Sequence, residues 1–232
     1  YHAIKLRQNL EDQAKEIMSK IPQPFMSLHL RFEPDMIAYS QCQYPMLSQG
    51  SAMAVEAVRG GRPAFIGDIE LSWRKRGKCL LTPSDVAFIL QALNFPRNMP
   101  IYLATGDGLL EAEGFTNVFS NIYNKSFLLG DNVVRKLGSN SKAALDYYIS
   151  VNSDYYVATY FGNMEKMVMP MRVLEKKWNT LVLNKKEYAI AMLSGLNTST
   201  LENIMWKIHR DSFTMARGLA LPDCFCEHVV SF

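Results

Sequence analysis

Apolar and polar residues follow the spacing of helices and strands along most of the chain. Residues 6–21 carry apolar side chains three and four positions apart, which predicts a helix. The stretch 24–36 begins with alternating residues instead, with Leu28, Leu30 and Phe32 on one side, which predicts a strand that stops at Pro34. A helix followed by this strand suggests the beginning of a layered α/β unit.

The same patterns continue after the first strand. Residues 37–64 are predicted to be irregular, because glycine, proline and cysteine interrupt them. Residues 82–85 form a strong helix start, with Thr82 as cap and Pro83 in the first turn. Further strands are predicted at 101–105, 127–129, 155–160 and 179–183, and further helices at 110–122, 139–151, 164–174, 185–194 and 200–211. Strand, helix and strand joined by short connections favour a parallel sheet and an α/β fold.

The stretch 24–36 ends in a polar cluster that consists of His29, Arg31, Glu33 and Asp35. Open α/β sheets bind ligands beyond the carboxyl ends of their strands. An arginine at such a position can hold a phosphate through two parallel hydrogen bonds. The alternative is an edge strand whose polar side only contacts water.

Three other places are candidates for ligand contacts. Asp146 lies on a predicted helix among apolar neighbours, where it either faces solvent or accepts hydrogen bonds from a nucleotide base. Gly162 and Asn163 follow a predicted strand and begin a helix, which is a geometry that binds anions. Residues 59–62, Arg-Gly-Gly-Arg, have the composition of a phosphate loop but lack its Lys-Ser/Thr and its spacing.

Composition narrows the function classes. The 232 residues suit one large domain, and 48% of them are hydrophobic, as in ordinary globular proteins. A net charge of +3 is too small to predict nucleic-acid or anionic-membrane partners. No apolar run is long enough to span a bilayer, and no signal peptide is visible. Because the chain opens without methionine, we expect a fragment or a processed protein. A short basic run at 74–78 is predicted to be a solvated loop.

The four cysteines are Cys42, Cys79, Cys224 and Cys226. Their spacing with respect to histidine does not match a zinc site, and it leaves disulfide pairing open. Two Asn-x-Ser sequons, at Asn124 and Asn197, weakly favour a secretory compartment.

Several of these segments together resemble the plant O-fucosyltransferase-like family, which is related to protein O-fucosyltransferases and pectin rhamnosyltransferases. The matching segments are residues 1–4, His29-Leu30-Arg31 with Asp35-Met36, 77–83, 101–104, 143–147, 153–154, 159–160, Gly162-Asn163-Met164, and the tail containing Cys224 and Cys226. The likeness covers nearly the whole chain. Each segment alone is common, whereas the set is fairly specific.

The resemblance implies the C-terminal, nucleotide-sugar-binding half of a GT-B glycosyltransferase, with a Rossmann-like parallel sheet and flanking helices. Residues 1–22 would be a helix from the end of the N-terminal half or the domain junction, and 23–232 would be the donor domain. The enzyme would transfer a 6-deoxyhexose with inversion, fucose from GDP-fucose or rhamnose from UDP-rhamnose, to a glycan or protein. It would need no metal, and it would lie in the Golgi lumen, held by a membrane anchor outside this chain.

The resemblance also assigns roles to residues. Arg31 would contact the diphosphate and stabilise the charge of the leaving nucleotide. His29 would help to position the nucleotide, and Leu30 between them is a further candidate for substrate binding. Asp146 would recognise the base, and the main chain at Gly162 and Asn163 would bind the phosphates. Glu33 and Asp35 are the candidates for the general base, and each is alternatively a structural partner of Arg31.

The chain departs from the family pattern in two places. It lacks the Gly-Gly-Leu-Asn-type loop of the N-terminal half, and it has Phe161 where relatives often have aspartate. These departures keep two alternatives open. Besides the glycosyltransferase, the chain could be a catalytically inactive family member that acts as a binding or scaffold protein, or an unrelated α/β nucleotide-binding enzyme.

Overall fold

The computed structural model describes residues 5–106 and 108–210. The helices within these ranges are α1 (Gln8–Ser19), α2 (Pro34–Ser40), α3 (Gln49–Arg59), α4 (Gly67–Lys75), α5 (Pro83–Ala92), α6 (Glu113–Thr116), α7 (Lys125–Leu129), α8 (Asp131–Lys136), α9 (Ser139–Asn152), α10 (Asn163–Leu174), α11 (Lys185–Leu193) and α12 (Thr198–Arg210). The strands are β1 (Met26–His29), β2 (Ile101–Leu103), β3 (Ile122–Tyr123), β4 (Tyr155–Ala158) and β5 (Thr180–Val182).

The five strands form one parallel sheet in the order β3-β2-β1-β4-β5. The central strand β1 pairs with β2 on one side and with β4 on the other, so that Leu28 lies opposite both Leu103 and Val157. The chain runs outward from β1 in both directions, which makes the β1–β4 boundary a topological switch point. The prediction of an α/β, Rossmann-like parallel sheet is confirmed.

Helices cover both faces of the sheet. Leu28 and Leu103 pack in one core cluster with α5 and α12, whereas Tyr102 packs in another with α1 and α9. Successive strand residues point to opposite faces, and here both faces are buried. The core therefore holds the carboxyl ends of the strands at fixed positions, and the functional site is built there.

Helix α1 contributes to the second of these clusters through Ala14 and Ile17, which are fully buried against α9. The predicted division between 1–22 and 23–232 stays a prediction. None of the helices in the described residues combines the length and hydropathy needed to cross a membrane. The tail with Cys224 and Cys226 lies outside the described residues.

The prediction that residues 37–64 are irregular is wrong, since α2 and α3 occupy much of this range. Pro34 stands at the first position of α2, where its missing N–H costs nothing. The side chain of Ser48 caps α3, and Gly60 ends that helix in a left-handed conformation with a φ of 59°. The residues that suggested irregularity therefore lie at helix boundaries.

Three shorter stretches also differ from the prediction. Residues 127–129 belong to α7, which begins where the Asn124 side chain accepts the N–H of Phe127. The range 110–122 holds only the one-turn α6 and the start of β3, and the basic run at 74–78 begins inside α4. Short apolar runs do not distinguish a helix from a strand by periodicity. The other predicted strands and the helix start at Thr82 are confirmed.

A disulfide joins Cys42 and Cys79 across a sequence separation of 37. Both cysteines are buried in a cluster with Phe32 and Tyr44, between the end of β1 and the start of α5. The bridge closes residues 43–78, which include α3 and α4, into one loop within the crossover from β1 to β2.

Replacing both cysteines with alanine is expected to lower the free energy of unfolding by about 3–4 kcal/mol, because an open loop of this length gains entropy in the unfolded chain. Denaturant unfolding of the oxidised protein and the variant measures this difference. A reductant should shift the midpoint of the wild-type protein and leave that of the variant in place. Equal midpoints without reductant would contradict the prediction.

Candidate functional site

Two cavities flank the carboxyl end of β1. The larger, of about 730 Å³, lies at the β1–β4 switch point and is called the crevice below. The second, of about 380 Å³, lies toward β2 and is called the side cavity. Both are lined by His29, Arg31, Asp35 and Met164, so the polar cluster predicted from the sequence stands between them. This is the position at which open α/β sheets bind ligands.

Thr159 ties the ends of β1 and β4 together. Its N–H and its hydroxyl both donate to the carbonyl of His29, at 3.0 and 3.1 Å. Its hydroxyl oxygen also accepts the main-chain N–H of Arg31 at 3.1 Å. The backbone at Arg31 is therefore held in register beyond the last strand pairing, which fixes where its side chain begins.

The carboxylate of Glu33 lies next to the guanidinium of Arg31. Its Nε lies 3.2 Å from Glu33 Oε2, at an angle that leaves both atoms without a hydrogen bond, and 29% of the Arg31 side chain is exposed. The other carboxylate oxygen of Glu33 accepts the N–H of Gly106 at 2.9 Å. A side chain at position 106 would place its Cβ 2.9 Å from that oxygen, so glycine is needed for the contact. The guanidinium thus lines both cavities, and among the described residues its terminal nitrogens have no hydrogen-bond or ion-pair partner, which leaves them for an anion.

The two candidate carboxylates differ in their surroundings. Glu33 is buried and engaged with Arg31 and the Gly106 amide. Asp35 is exposed in the first turn of α2 and lines both cavities. Within the described residues, Asp35 has no hydrogen-bond or ion-pair partner. The geometry therefore makes Glu33 a partner of Arg31 and leaves Asp35 accessible to a ligand.

His29 is held by a fully buried carboxylate on α10. Its Nδ1 contacts Glu165 Oε1, which also accepts the hydroxyl of Tyr156 at 3.1 Å. Burial alone would raise the pKa of Glu165, but the contact with His29 and the Gly162 amide lower it below its usual value. Since an ionised carboxylate only accepts, Nδ1 carries the proton and Nε2 is left for a ligand.

The backbone N–H groups at the start of α10 have two uses: one bonds the Glu165 side chain, and others are available to an anion. The N–H of Gly162, predicted to face a phosphate, donates to Glu165 Oε2 at 2.8 Å. The first N–H groups of a helix have no partner inside it, so those of Asn163 and Met164 remain available. Gly162 and Asn163 both line the crevice beside His29 and Arg31.

Asp146 lies in the wall of the side cavity and is buried, so the interpretation that it faces solvent is wrong. One of its oxygens accepts from Tyr102 at 2.8 Å and the other from Lys125 at 2.7 Å. Lys125 is itself buried and donates to the carbonyl of Thr105 at 2.7 Å. Burial raises the pKa of Asp146 and the Lys125 ammonium opposes this effect. Recognition of a base by Asp146 stays a prediction, and the observed contacts also position the end of β2.

Two further sequence candidates are placed differently. The Leu30 side chain is fully buried in the core and lines neither cavity, so a ligand contact there would involve the main chain. The Arg-Gly-Gly-Arg loop does reach the crevice, where Arg59, Gly60 and Arg62 form part of the wall. Arg59 is held by Glu56 at 2.7 Å.

Sequence reasoning missed Glu165, Thr159 and Lys125 as parts of the site. Only Glu165 had a local signal, because a glutamate three residues into a helix commonly accepts the N–H of the capping residue. Its contact with His29 spans 136 residues and has no local signature. Across the described residues, histidine, cysteine and carboxylate side chains do not form a group of three or more that would hold a metal ion.

Comparison with known proteins identifies the family. The family model described as GDP-fucose protein O-fucosyltransferase matches residues 1–175. The chain is similar to O-fucosyltransferase 13 of Arabidopsis thaliana, with 52% identity over 98% of this chain and 52% of that protein. O-fucosyltransferase 29 and rhamnogalacturonan I rhamnosyltransferase 1 of the same plant are 34% and 32% identical, over 74% and 80% of this chain and 32% and 39% of theirs. The chain thus spans between a third and about half of the length of these relatives. The match over residues 1–175 contains the polar end of β1, Thr159 and the start of α10, and the chain belongs to the GDP-fucose protein O-fucosyltransferase family.

Proposed function

We propose that this chain forms the nucleotide-sugar-binding half of an inverting glycosyltransferase. The donor is a 6-deoxyhexose nucleotide, GDP-fucose or UDP-rhamnose, and the acceptor is a glycan or a protein. The observation that carries the proposal is the guanidinium of Arg31, which stands at the switch point between two cavities and whose terminal nitrogens have no partner within residues 5–106 and 108–210. Named relatives that transfer fucose and rhamnose support it.

Each part of the site has a role in this reaction. The sugar–oxygen bond to the diphosphate breaks, and the negative charge left on the phosphate is stabilised by Arg31 and by the N–H groups at the start of α10. His29 positions the diphosphate through Nε2, and Asp146 lies where the base would be recognised. Asp35 is the carboxylate we assign as general base: it takes the proton of the acceptor hydroxyl as that oxygen forms a bond to the anomeric carbon on the face opposite the leaving phosphate. Asp35 is exposed, and it has no partner among the described residues. No metal is part of the proposal, since Arg31 and the helix supply the positive charge.

The proposal also includes a cellular place. The Cys42–Cys79 disulfide fits an oxidising compartment, and a lumenal Golgi enzyme with a membrane anchor outside this chain would meet that condition. The partners are then the nucleotide-sugar and the acceptor, without a nucleic acid.

Calorimetric titration of the chain with GDP, UDP and NAD tests the donor assignment. We expect GDP or UDP to bind, NAD not to bind, and Arg31→Ala to weaken nucleotide binding by about 1.5–3 kcal/mol, the scale of a hydrogen bond to a charged group. The matched control is Arg135→Ala, which removes an exposed arginine on α8 outside both cavities.

The titration also separates the competing functions. Preference for GDP or UDP selects the fucose or the rhamnose donor. Nucleotide binding without sugar transfer by the protein would favour the inactive binding protein. A folded chain that binds neither nucleotide, or that binds each equally well after Arg31→Ala, would contradict the proposed site.

A further inference from the structure

A third cavity, of about 470 Å³, continues from the crevice beyond β4. It is lined by Tyr39, Trp73, Tyr160 and Phe161 together with Lys78 and Lys185, and is called the aromatic trough below. Tyr39, Tyr160 and Phe161 also line the crevice, so the two spaces adjoin. A molecule bound in the trough would lie beside the group that Arg31 holds.

The trough has exposed aromatic rings at its mouth. Tyr39 is 65% exposed and Phe161 is 50% exposed, unlike the aromatic residues of the core. Such rings offer large rigid contact surfaces, and their faces pack against the C–H-bearing faces of sugar rings. Trp73 is held at the floor by a hydrogen bond from its indole N–H to the Ser40 carbonyl at 3.0 Å.

The trough also carries the positive charges of Lys78 and Lys185. The Lys185 ammonium lies 4.8 Å from the centre of the Tyr160 ring. In the part of the chain that the structure describes, neither Lys78 nor Lys185 has an ion-pair partner. Burial, followed by the charge of Lys78, lowers the pKa of Lys185 to about 8. Lys185 also opens α11, where a positive charge opposes the helix dipole.

Close packing keeps the two lysines together. Gly77 has a φ of 68°, and a Cβ there would lie 2.8 Å from the main-chain nitrogen of Lys186. Only glycine allows the chain before Lys78 to approach α11 so closely. The arrangement therefore holds two like charges near each other, and a bound anion would relieve their repulsion.

We propose that the aromatic trough binds a carboxylate-bearing sugar, a uronate residue of an acidic acceptor glycan. Lys78 and Lys185 pair with the carboxylate, and Phe161 and Tyr39 pack on the sugar ring. This inference rests on the proposed function, which it deepens by naming the acceptor class. A sugar held there extends toward Arg31 and Asp35, where transfer would take place.

Binding of two oligosaccharides of equal length tests the inference. The probes are a hexamer of galacturonate and a neutral hexamer of glucose, titrated into the chain at low ionic strength and observed by saturation-transfer NMR. We expect the uronate hexamer to bind and the neutral one to bind much more weakly. Lys185→Gln should weaken uronate binding about tenfold, the loss of one charged hydrogen bond. Phe161→Ala should weaken it as well.

Control measurements separate this inference from the donor site. Lys136→Gln removes an exposed lysine on α8 and should leave uronate binding unchanged. GDP or UDP affinity should stay within about twofold in Lys185→Gln, because the lysine lies outside the cavity that holds the diphosphate. A parallel loss of nucleotide affinity would assign the lysines to the donor and overturn the proposal.

Two other outcomes would also overturn it. Equal binding of the neutral hexamer would show that the carboxylate is not recognised. Absence of uronate binding by a chain that still binds GDP or UDP would refute the acceptor class while leaving the donor site intact. If the wild-type chain binds neither GDP nor UDP, that result would instead refute the proposed function.

Discussion

Replacing Arg172 with methionine lowers the free energy of unfolding by about 5 kcal/mol, the largest stability effect that we expect from one substitution in this chain. Arg172 has 0% exposure and lies in α10 next to Pro170. Its Nη1 donates to the carbonyls of Ser150 and Ser153 at 2.9 and 2.8 Å. Its Nε donates to the Thr180 hydroxyl at 2.7 Å.

The magnitude follows from the groups that would be left unpaired. Arg172 donates to the carbonyls of Ser153 and Asp154, which follow α9. It also donates to the Ser150 carbonyl, which the Ser153 hydroxyl bonds as well. Each buried polar group without a partner costs about 1–3 kcal/mol, and methionine removes several partners at once. Burial lowers the pKa of Arg172 to about 10, so the side chain remains charged at neutral pH.

Chemical denaturation measures this effect, with Arg135→Met as the exposed control. Arg172→Lys should show an intermediate loss, since lysine keeps the charge but not the planar set of donors. A midpoint for Arg172→Met equal to that of the control would show that the buried carbonyls find other partners.

On the proposed function, replacing Arg31 with lysine lowers the rate of sugar transfer by about 100-fold. Lysine keeps one positive charge but loses the planar pair of donors that holds a phosphate from two sides. Removing one preorganised donor to a developing negative charge typically costs about 10²–10³ in kcat. The loss should exceed the loss in GDP or UDP affinity, because the charge on the phosphate develops during bond breaking.

Steady-state kinetics of the longest native protein that contains this chain measures the effect. The readouts are kcat, KM for the donor, and nucleotide affinity. Arg135→Lys, at an exposed position of α8 outside both cavities, is the matched control and should change kcat little. A normal kcat in Arg31→Lys would exclude Arg31 from stabilising the leaving group.

The sequence predicted the parts of the fold that depend on neighbours along the chain. Strand β2 and helix α5 were found because alternation and the Thr82 cap are local signals. The sequence does not predict helix α3, because glycine and proline in this range suggest irregular chain. In the structure the Ser48 side chain caps this helix and Gly60 ends it. Glycine and proline mark the ends of helices as well as loops.

Of the site, the sequence could predict the residues at the end of β1 but not the partners that position them. His29, Arg31 and Asp35 follow one another at the end of a strand, so topology alone places them at a ligand edge. The partners of these residues come from distant segments, as with Glu165 on His29 and Thr159 on the Arg31 backbone. Packing of separate elements brings these side chains together, and no spacing in the sequence encodes it.

The disulfide between Cys42 and Cys79 makes residues 43–78 a covalently closed loop within the crossover from β1 to β2. The chain enters and leaves this loop at the disulfide, where the Cα atoms of Cys42 and Cys79 lie 5.7 Å apart. This segment supplies Arg59 and Arg62 to the crevice and Trp73 and Lys78 to the trough. Changes at its exposed positions, such as Arg62, therefore reshape the walls that face the substrates and leave the pairing of β1 with β2 in place. Its buried or closely packed positions, such as Val55 and Gly77, instead connect the segment to the rest of the fold.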